Sequence, residues 1–348
     1  MTLQIPVDLE NVTPEWLTQI LTTSGVINRS SVTAVESERL STRKGILRFR
    51  LTYDMFEARA PESIIAKISS QEEVGFYRKI ARKTDIRTPY CYYGAIDEGK
   101  GNGVLLLEDL KDGHFGDVID GVSGEQAEFI IEQLVPFHVA WWEHPDLQSM
   151  DWIPIAPFLD DPQEKENWLK MLDNLWHRFT EKFSGRIPAA IEEVWPILIQ
   201  HTDKIRRQSL IQPLTLCHGD YHLGNLFFAP PNGNSSLVVF DWEGLRRAQG
   251  PLDLCFLLIW NLKPQLRREV EKNLLQKYCA MLKEQGVENY NVDQCYHSYR
   301  VTLYNLMLPS LVHIGAVVDT SSNRAQTVEI VLTRMSEAII NHPISDLI

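Results

Sequence analysis

His218-Gly219-Asp220-Tyr221-His222-Leu223-Gly224-Asn225-Leu226-Phe227-Phe228, followed by Val238-Val239-Phe240-Asp241-Trp242-Glu243, is the stretch whose reading decides the fold. Within Leu216 to Glu243, two short apolar strands bracket a polar loop. The loop carries a carboxylate, Asp220, and an amide, Asn225; the second strand ends on another carboxylate, Asp241. Oxygen donors of this kind hold hard divalent cations, and a free carboxylate can take a hydroxyl proton, which are the parts needed to move a phosphoryl group from a nucleotide. His218 and His222 also have the spacing of a zinc pair. That motif needs both imidazoles on one helical face, and Gly219 and Gly224 argue for a loop. A purely structural use of the Asp and Asn residues in turns is the other alternative, and the flanking strands speak against it.

The joint pattern, H-x-D-x-x-x-x-N, an apolar strand, then apolar-Asp-aromatic-Glu, resembles the signature of the aminoglycoside phosphotransferase and choline kinase superfamily. That resemblance implies an α+β, bilobal, protein-kinase-like fold with a small antiparallel-sheet N-lobe and a larger, mainly helical C-lobe. It also implies Asp220 as catalytic base, with Asn225 and Asp241 as magnesium ligands. Glu243 would assist the metal shell through water, while Trp242 and His222 would face the acceptor. His218 would brace the loop through hydrogen bonds.

Working outward toward the N-terminus, Ser63-Ile64-Ile65-Ala66-Lys67-Ile68 is an apolar strand interrupted by one lysine, whose charge is costly in a core unless paired. By resemblance, Lys67 matches the lysine that steadies nucleotide phosphates and Glu73 the helix glutamate that holds it, with Glu72 a rival for the pairing. Alternating residues predict a strand pair on either side of Ser41-Thr42-Arg43-Lys44-Gly45. In a kinase-like lobe that turn covers the phosphates, which makes Thr42 and Gly45 candidate nucleotide contacts by position. Leu107-Glu108-Asp109-Leu110 closes a further strand. By resemblance it is the hinge, where backbone groups around Glu108 and Leu110 would hold the adenine, with residues 1–110 forming the N-lobe and 111–348 the C-lobe. Thr13-Pro14-Glu15 predicts a capped surface helix before the first strand.

In the second lobe, Ser123-Gly124-Glu125-Gln126 predicts a capping box, and Ala127, Ile130, Ile131, Leu134, His138 and Trp141 share one face of the helix it starts, which Pro136 should kink. His138 on that face reads as a hydrogen-bonded core residue. Asp161-Pro162 opens another helix ending near Gly185. Asp253 resembles the superfamily's later aspartate, which orders the catalytic loop without touching substrate. The basic runs Lys204-Ile205-Arg206-Arg207 and Arg267-Arg268 read as solvated helix faces, and Arg246 and Arg247 as surface charge.

Composition limits the alternatives. The formal charge of −12 over 348 residues disfavours nucleic acid or an anionic membrane as the principal partner. The five cysteines are scattered, with no C-x-x-C pair, and no apolar run has the length of a signal peptide core or a membrane span, so a cytoplasmic protein is expected. Gly219 stands where protein kinases carry the arginine that receives an activation-loop phosphate. The stretch from Asp241 to Asp253 is also too short for a peptide-docking segment, which disfavours a protein substrate. Glu73-x-x-Phe76-Tyr77, His138-Val139-Ala140-Trp141-Trp142 and His218-Gly219-Asp220-x-His222 most resemble the ecdysteroid-kinase-like branch. The expectation is an enzyme that uses ATP and Mg2+ to phosphorylate a hydroxyl of a small molecule. The competing reading is a nucleotide-binding scaffold that has lost catalysis.

Overall fold

Thr13 accepts a hydrogen bond from the Trp16 amide and starts α1 (Pro14–Thr23), whose Leu17, Ile20 and Leu21 are buried, as the sequence predicts. This is a computed structural model, and it describes residues 9–41, 45–97, 99, 101–155, 161–230 and 237–348. The chain divides into two compact units. The first comprises residues 1–114 and returns for 227–244; the second comprises 115–226 and 245–348. The first unit therefore runs past residue 110 to His114 and takes in the segment that carries Asp241.

The first unit is built on an antiparallel sheet, β1 (Val32–Ser41), β2 (Ile46–Tyr53), β3 (Ser63–Ser69), β4 (Cys91–Asp97) and β5 (Asn102–Glu108), in the spatial order β1-β2-β3-β5-β4. Period-two alternation sends Leu47 and Phe49 of β2, Ile64 and Ala66 of β3, and Val104 and Leu106 of β5 into one cluster with α1. The opposite register of β3 therefore points Lys67 to the other face. Helix α2 (Gln71–Lys79), capped by Ser70, buries Glu73, Val74, Phe76 and Tyr77. Arg48 and Arg50 on β2 both reach Glu38 on β1, opposite-charge pairing that helps fix the register.

The second unit is mainly helical. The capping box at Ser123 and Gln126 starts α3 (Gly124–Trp141), which runs on through Pro136. Asp161 caps α4 (Pro162–Lys182), and α5 (Ala189–Gln208) follows. A two-stranded ribbon then pairs Thr215–Cys217 with Arg246–Ala248. Every residue of α6 (Pro251–Asn261) is buried, in keeping with a sequence that is apolar nearly all round. Against it pack α7 (Pro264–Glu284), α8 (Val292–Thr302) and α10 (Asn323–Asn341), while α9 (Leu308–Val317) packs on α4 and α10. No helix among the described residues is long and apolar enough to cross a membrane.

The basic runs are not wholly solvated. Arg206 is buried, its guanidinium lying over the Trp168 ring, and Arg267 is 1% exposed, ion-paired to Glu271. Arg247 is no surface charge either: it donates to the carbonyls of Ile153 and Leu147. A charge pattern in sequence marks the side chains that carry charge. It does not show which backbone carbonyls and carboxylates the fold brings to them.

Candidate functional site

In the first unit the chemistry gathers around Lys67. Its Nζ lies 2.7 Å from Glu73, 2.5 Å from Asp241 and 3.4 Å from Glu243. Burial opposes the lysine's charge, but the three carboxylates outweigh it and raise its pKa, so it stays an ammonium. Glu73, and not Glu72, is the helix partner. It is fully buried, accepts from the Ser69 hydroxyl and from the Trp242 amide, and burial pushes its carboxyl upward while Lys67 pulls it back.

Asp241 follows the short strand Leu237–Val239, whose Val239 amide donates to the Arg87 carbonyl. It adopts a left-handed backbone (φ 62°), a conformation costly for most side chains and least so for Asp, Asn and Gly. The oxygens of Glu73, Asp241 and Glu243 lie within 4.8 Å of one another. One ammonium against three carboxylates leaves a surplus of negative charge, and the donors are all oxygen, which suits a hard divalent cation.

Trp242 does not face an acceptor. Its ring is fully buried, stacked on Phe76 with centroids 3.7 Å apart, and its indole N–H donates to the Val239 carbonyl. The aromatic residue after the aspartate thus anchors the segment to α2. Glu108 accepts from the Tyr90 amide, and the neighbouring Asp109 from Arg48 and Ser63, while Leu110 lies half-buried just past the strand. Gly45 packs so close to Ile68 that a Cβ there would meet its Cδ1 at 2.9 Å. Thr42 lies outside the described residues, as do Arg43 and Lys44.

In the second unit the loop after Cys217 is held by its surroundings. Asp253, fully buried in the first turn of α6, accepts from the amides of His218 and Gly219, both at 2.8 Å. The same carboxylate meets His138 Nε2 at 3.1 Å, and His138 Nδ1 meets the Tyr278 hydroxyl at 2.8 Å. Gly219 has φ 83°, where only glycine turns without strain, and this turn lets two successive amides converge on one carboxylate. His138 is the hydrogen-bonded core residue expected of it. The zinc-pair geometry is not formed: His218 is fully buried in a loop, and His222 precedes a single 3-10 turn, Leu223–Asn225.

Asp220 emerges from this loop. Asn225 Nδ2 donates both to its carbonyl (2.8 Å) and to its carboxylate (3.1 Å). His222 Nδ1 accepts from the Gly224 amide, which leaves Nε2 as the donor, 3.4 Å from the Asp220 carboxylate. The imidazole stacks on Trp260. Burial opposes the Asp220 charge, yet His222, His218 and Asn225 hold its carboxyl down at about 2. Its side chain remains 41% exposed. The exposed side faces a cleft of about 440 Å³ that lies wholly within the second unit. Leu311 and Ile314 of α9 and Val328 and Val331 of α10 make its apolar wall, with Asp117, His222, Trp260 and Arg324 also lining it. The sequence offered α9 and α10 only as helical periodicity, with nothing to mark the cleft they build.

The sequence profile of the ecdysteroid kinase-like family matches residues 67–289. A Caenorhabditis elegans protein described as an uncharacterized oxidoreductase is 23% identical over 352 residues, covering 92% of this chain and 42% of that protein. The chain thus spans less than half the length of this curated relative. Among solved structures, an ethanolamine kinase of Plasmodium vivax superposes with a TM-score of 0.54 at 14% identity, covering 94% of this chain and 88% of that one. A spectinomycin phosphotransferase solved with AMP bound superposes with a TM-score of 0.51 at 14% identity, covering 93% and 98%. At these identities the likeness shows the fold, which is the kinase-like fold of small-molecule phosphotransferases.

Proposed function

The chain belongs to the ecdysteroid kinase-like family, and from that premise we propose that it transfers the γ-phosphoryl group of ATP to a hydroxyl of a small molecule. The observation that carries the reading is the Asp220 loop: an ionised carboxylate, fixed by Asn225 and His222 and opening on a largely apolar cleft. With a pKa of about 2, Asp220 is a weak base. Its work is to orient the acceptor hydroxyl as a hydrogen-bond acceptor and to receive the proton late, which suits the loose transition state of phosphoryl transfer. The acceptor oxygen forms its bond to the γ-phosphorus, the bond from that phosphorus to the bridging oxygen breaks to leave ADP, and the hydroxyl proton passes to Asp220.

Magnesium, when bound, would neutralise charge on the phosphates. Asp241 and Asn225 are assigned as its ligands, with Glu243 reaching it through water. Lys67, which pairs with Asp241 in this structure, would be the ammonium that meets the nucleotide's phosphates. Glu73 keeps Lys67 in place, and Gly45, Glu108 and Leu110 are the nucleotide contacts this reading retains from the sequence.

Thermal shift with Mg-ATP tests the metal assignment. The parent should be stabilised, because a ligand that binds only the folded chain raises its unfolding free energy. Asp241→Ala should lose most of that shift, whereas Asp220→Asn should keep it. Equal stabilisation of the Asp241 variant and the parent would remove Asp241 from the metal site.

A further inference from the structure

The cleft beside Asp220 carries an unbalanced charge pattern. Of its anionic side chains, Asp220 is engaged by Asn225 and His222, and Asp117 accepts from the Ile119 amide at 2.7 Å while acting on the buried Arg334 guanidinium. Arg324 is exposed, lines the same cleft, and has no ion pair or hydrogen bond among the described residues. It also occupies the first turn of α10, which has no acidic residue and no side-chain cap. A cation there adds to the positive end of the helix dipole, so the placement opposes helix stability. Among the described residues lining the cleft, the buried indole N–H of Trp260, a residue 5% exposed, is a further donor without a partner. The same cleft that takes in Arg324 and Asp220 has an apolar wall of Leu311, Ile314, Val328 and Val331.

An acceptor that satisfies this cleft has three parts: a hydroxyl for Asp220, an apolar body, and an anionic end. We infer that the substrate class is an apolar hydroxy acid, an aliphatic or alicyclic alcohol whose carboxylate pairs with Arg324. The inference rests on the phosphotransferase reading and specifies its acceptor. It runs against the sign of the whole chain, whose formal charge of −12 by itself suits a cationic acceptor. What decides is the local balance, in which the carboxylates already have partners and the guanidinium has none. A bidentate arginine-carboxylate pair is worth about a tenfold preference over the uncharged ester.

The test uses three probes of one length, each kept below its micellar concentration: a twelve-carbon ω-hydroxy acid, its methyl ester and the corresponding amino alcohol. Phosphorylation with Mg-ATP is followed by mass spectrometry, and binding without nucleotide is measured by calorimetry, for the parent, Arg324→Lys and Arg324→Glu. The acid should be preferred over the ester about tenfold, chiefly in KM. Arg324→Lys should keep part of that preference, and Arg324→Glu should reverse it in favour of the amino alcohol. Equal use of ester and acid, preference for the amine by the parent, or an unchanged preference in Arg324→Glu would overturn the acceptor class while leaving phosphoryl transfer standing. Preferential binding of the acid, reversed in Arg324→Glu but with no phosphorylated product from any probe, would keep the ligand class and remove the phosphotransferase reading.

Discussion

The carboxylates of the two units are held by different means. In the first unit Glu73, Asp241 and Glu243 surround a single ammonium, Lys67, and outnumber it, with Glu73 held in addition by the Ser69 hydroxyl and the Trp242 amide. In the second, Asp253 is held by the backbone amides of His218 and Gly219, and Asp220 by the Asn225 amide. An ion cluster with surplus negative charge can exchange one cation for another, whereas a loop pinned through its own backbone keeps its geometry before any ligand arrives. The first arrangement suits binding that changes partners, and the second suits positioning. Substitutions in the first unit should therefore register in nucleotide affinity, and those in the second in rate or in stability.

The largest effect separates rate from stability. Asp220→Asn should cut turnover by about a thousandfold, within the range for loss of a positioned base, without lowering the melting temperature appreciably. A loss under tenfold would take Asp220 out of the chemistry. Next, Asp253→Ala should destabilise the chain by about 3 kcal/mol, because two buried amides and the His138 ring lose their acceptor. Urea unfolding would measure it, and a change under about 1 kcal/mol would mean the loop is held by something else. Lys67→Met, in contrast, should weaken Mg-ATP binding about tenfold, the lower end expected for losing charged hydrogen bonds to phosphate. Equilibrium titration would show it, and a pure loss of turnover at unchanged affinity would erase the contrast between the units.

The smallest effect concerns pH. Because the Asp220 carboxyl sits at about 2, below its ordinary value, its contribution to stability is complete above the ordinary value and fades only as pH falls toward about 2. Its 41% exposure keeps that contribution small. Turnover should therefore show no acidic limb from Asp220 between pH 7 and pH 5. His222→Gln should move the carboxyl upward, as NMR titration would report, and change turnover at pH 7 by less than tenfold. A downward move would mean that His222 does not act on Asp220 as its geometry implies.

What the sequence made legible were features written into contiguous residues. Caps at Thr13, Ser123 and Asp161, the alternation through β2 and β3, and the lone lysine in an apolar strand all have local physical causes. Asp253 was legible by resemblance, and its two backbone contacts match that expectation. Other features depend on residues far apart in the chain. Spacing alone left Glu72 and Glu73 as rivals, and the choice follows from which one α2 turns toward Lys67. Trp242 was misread because an aromatic next to a functional aspartate can face ligand or core with the same sequence, and Phe76 supplies the stacking partner from α2. Arg267 has its ion-pair partner Glu271 one turn along α7, but its burial follows from His342, Asn341 and the Glu337 carbonyl, which reach it from the far end of the chain. The cleft has no motif at all: Phe115, Trp260, Leu311 and Val331 come from four separate segments.

The central claim is tested most directly by incubating the chain with Mg-ATP and a pool of small hydroxylated compounds, hydroxy acids included, and searching by mass spectrometry for a gain of one phosphate. The parent should yield a phosphorylated small molecule, and Asp220→Asn should yield about a thousandfold less while still binding Mg-ATP. Absence of any such product from a parent chain that binds Mg-ATP, or equal product from the parent and Asp220→Asn, would contradict it.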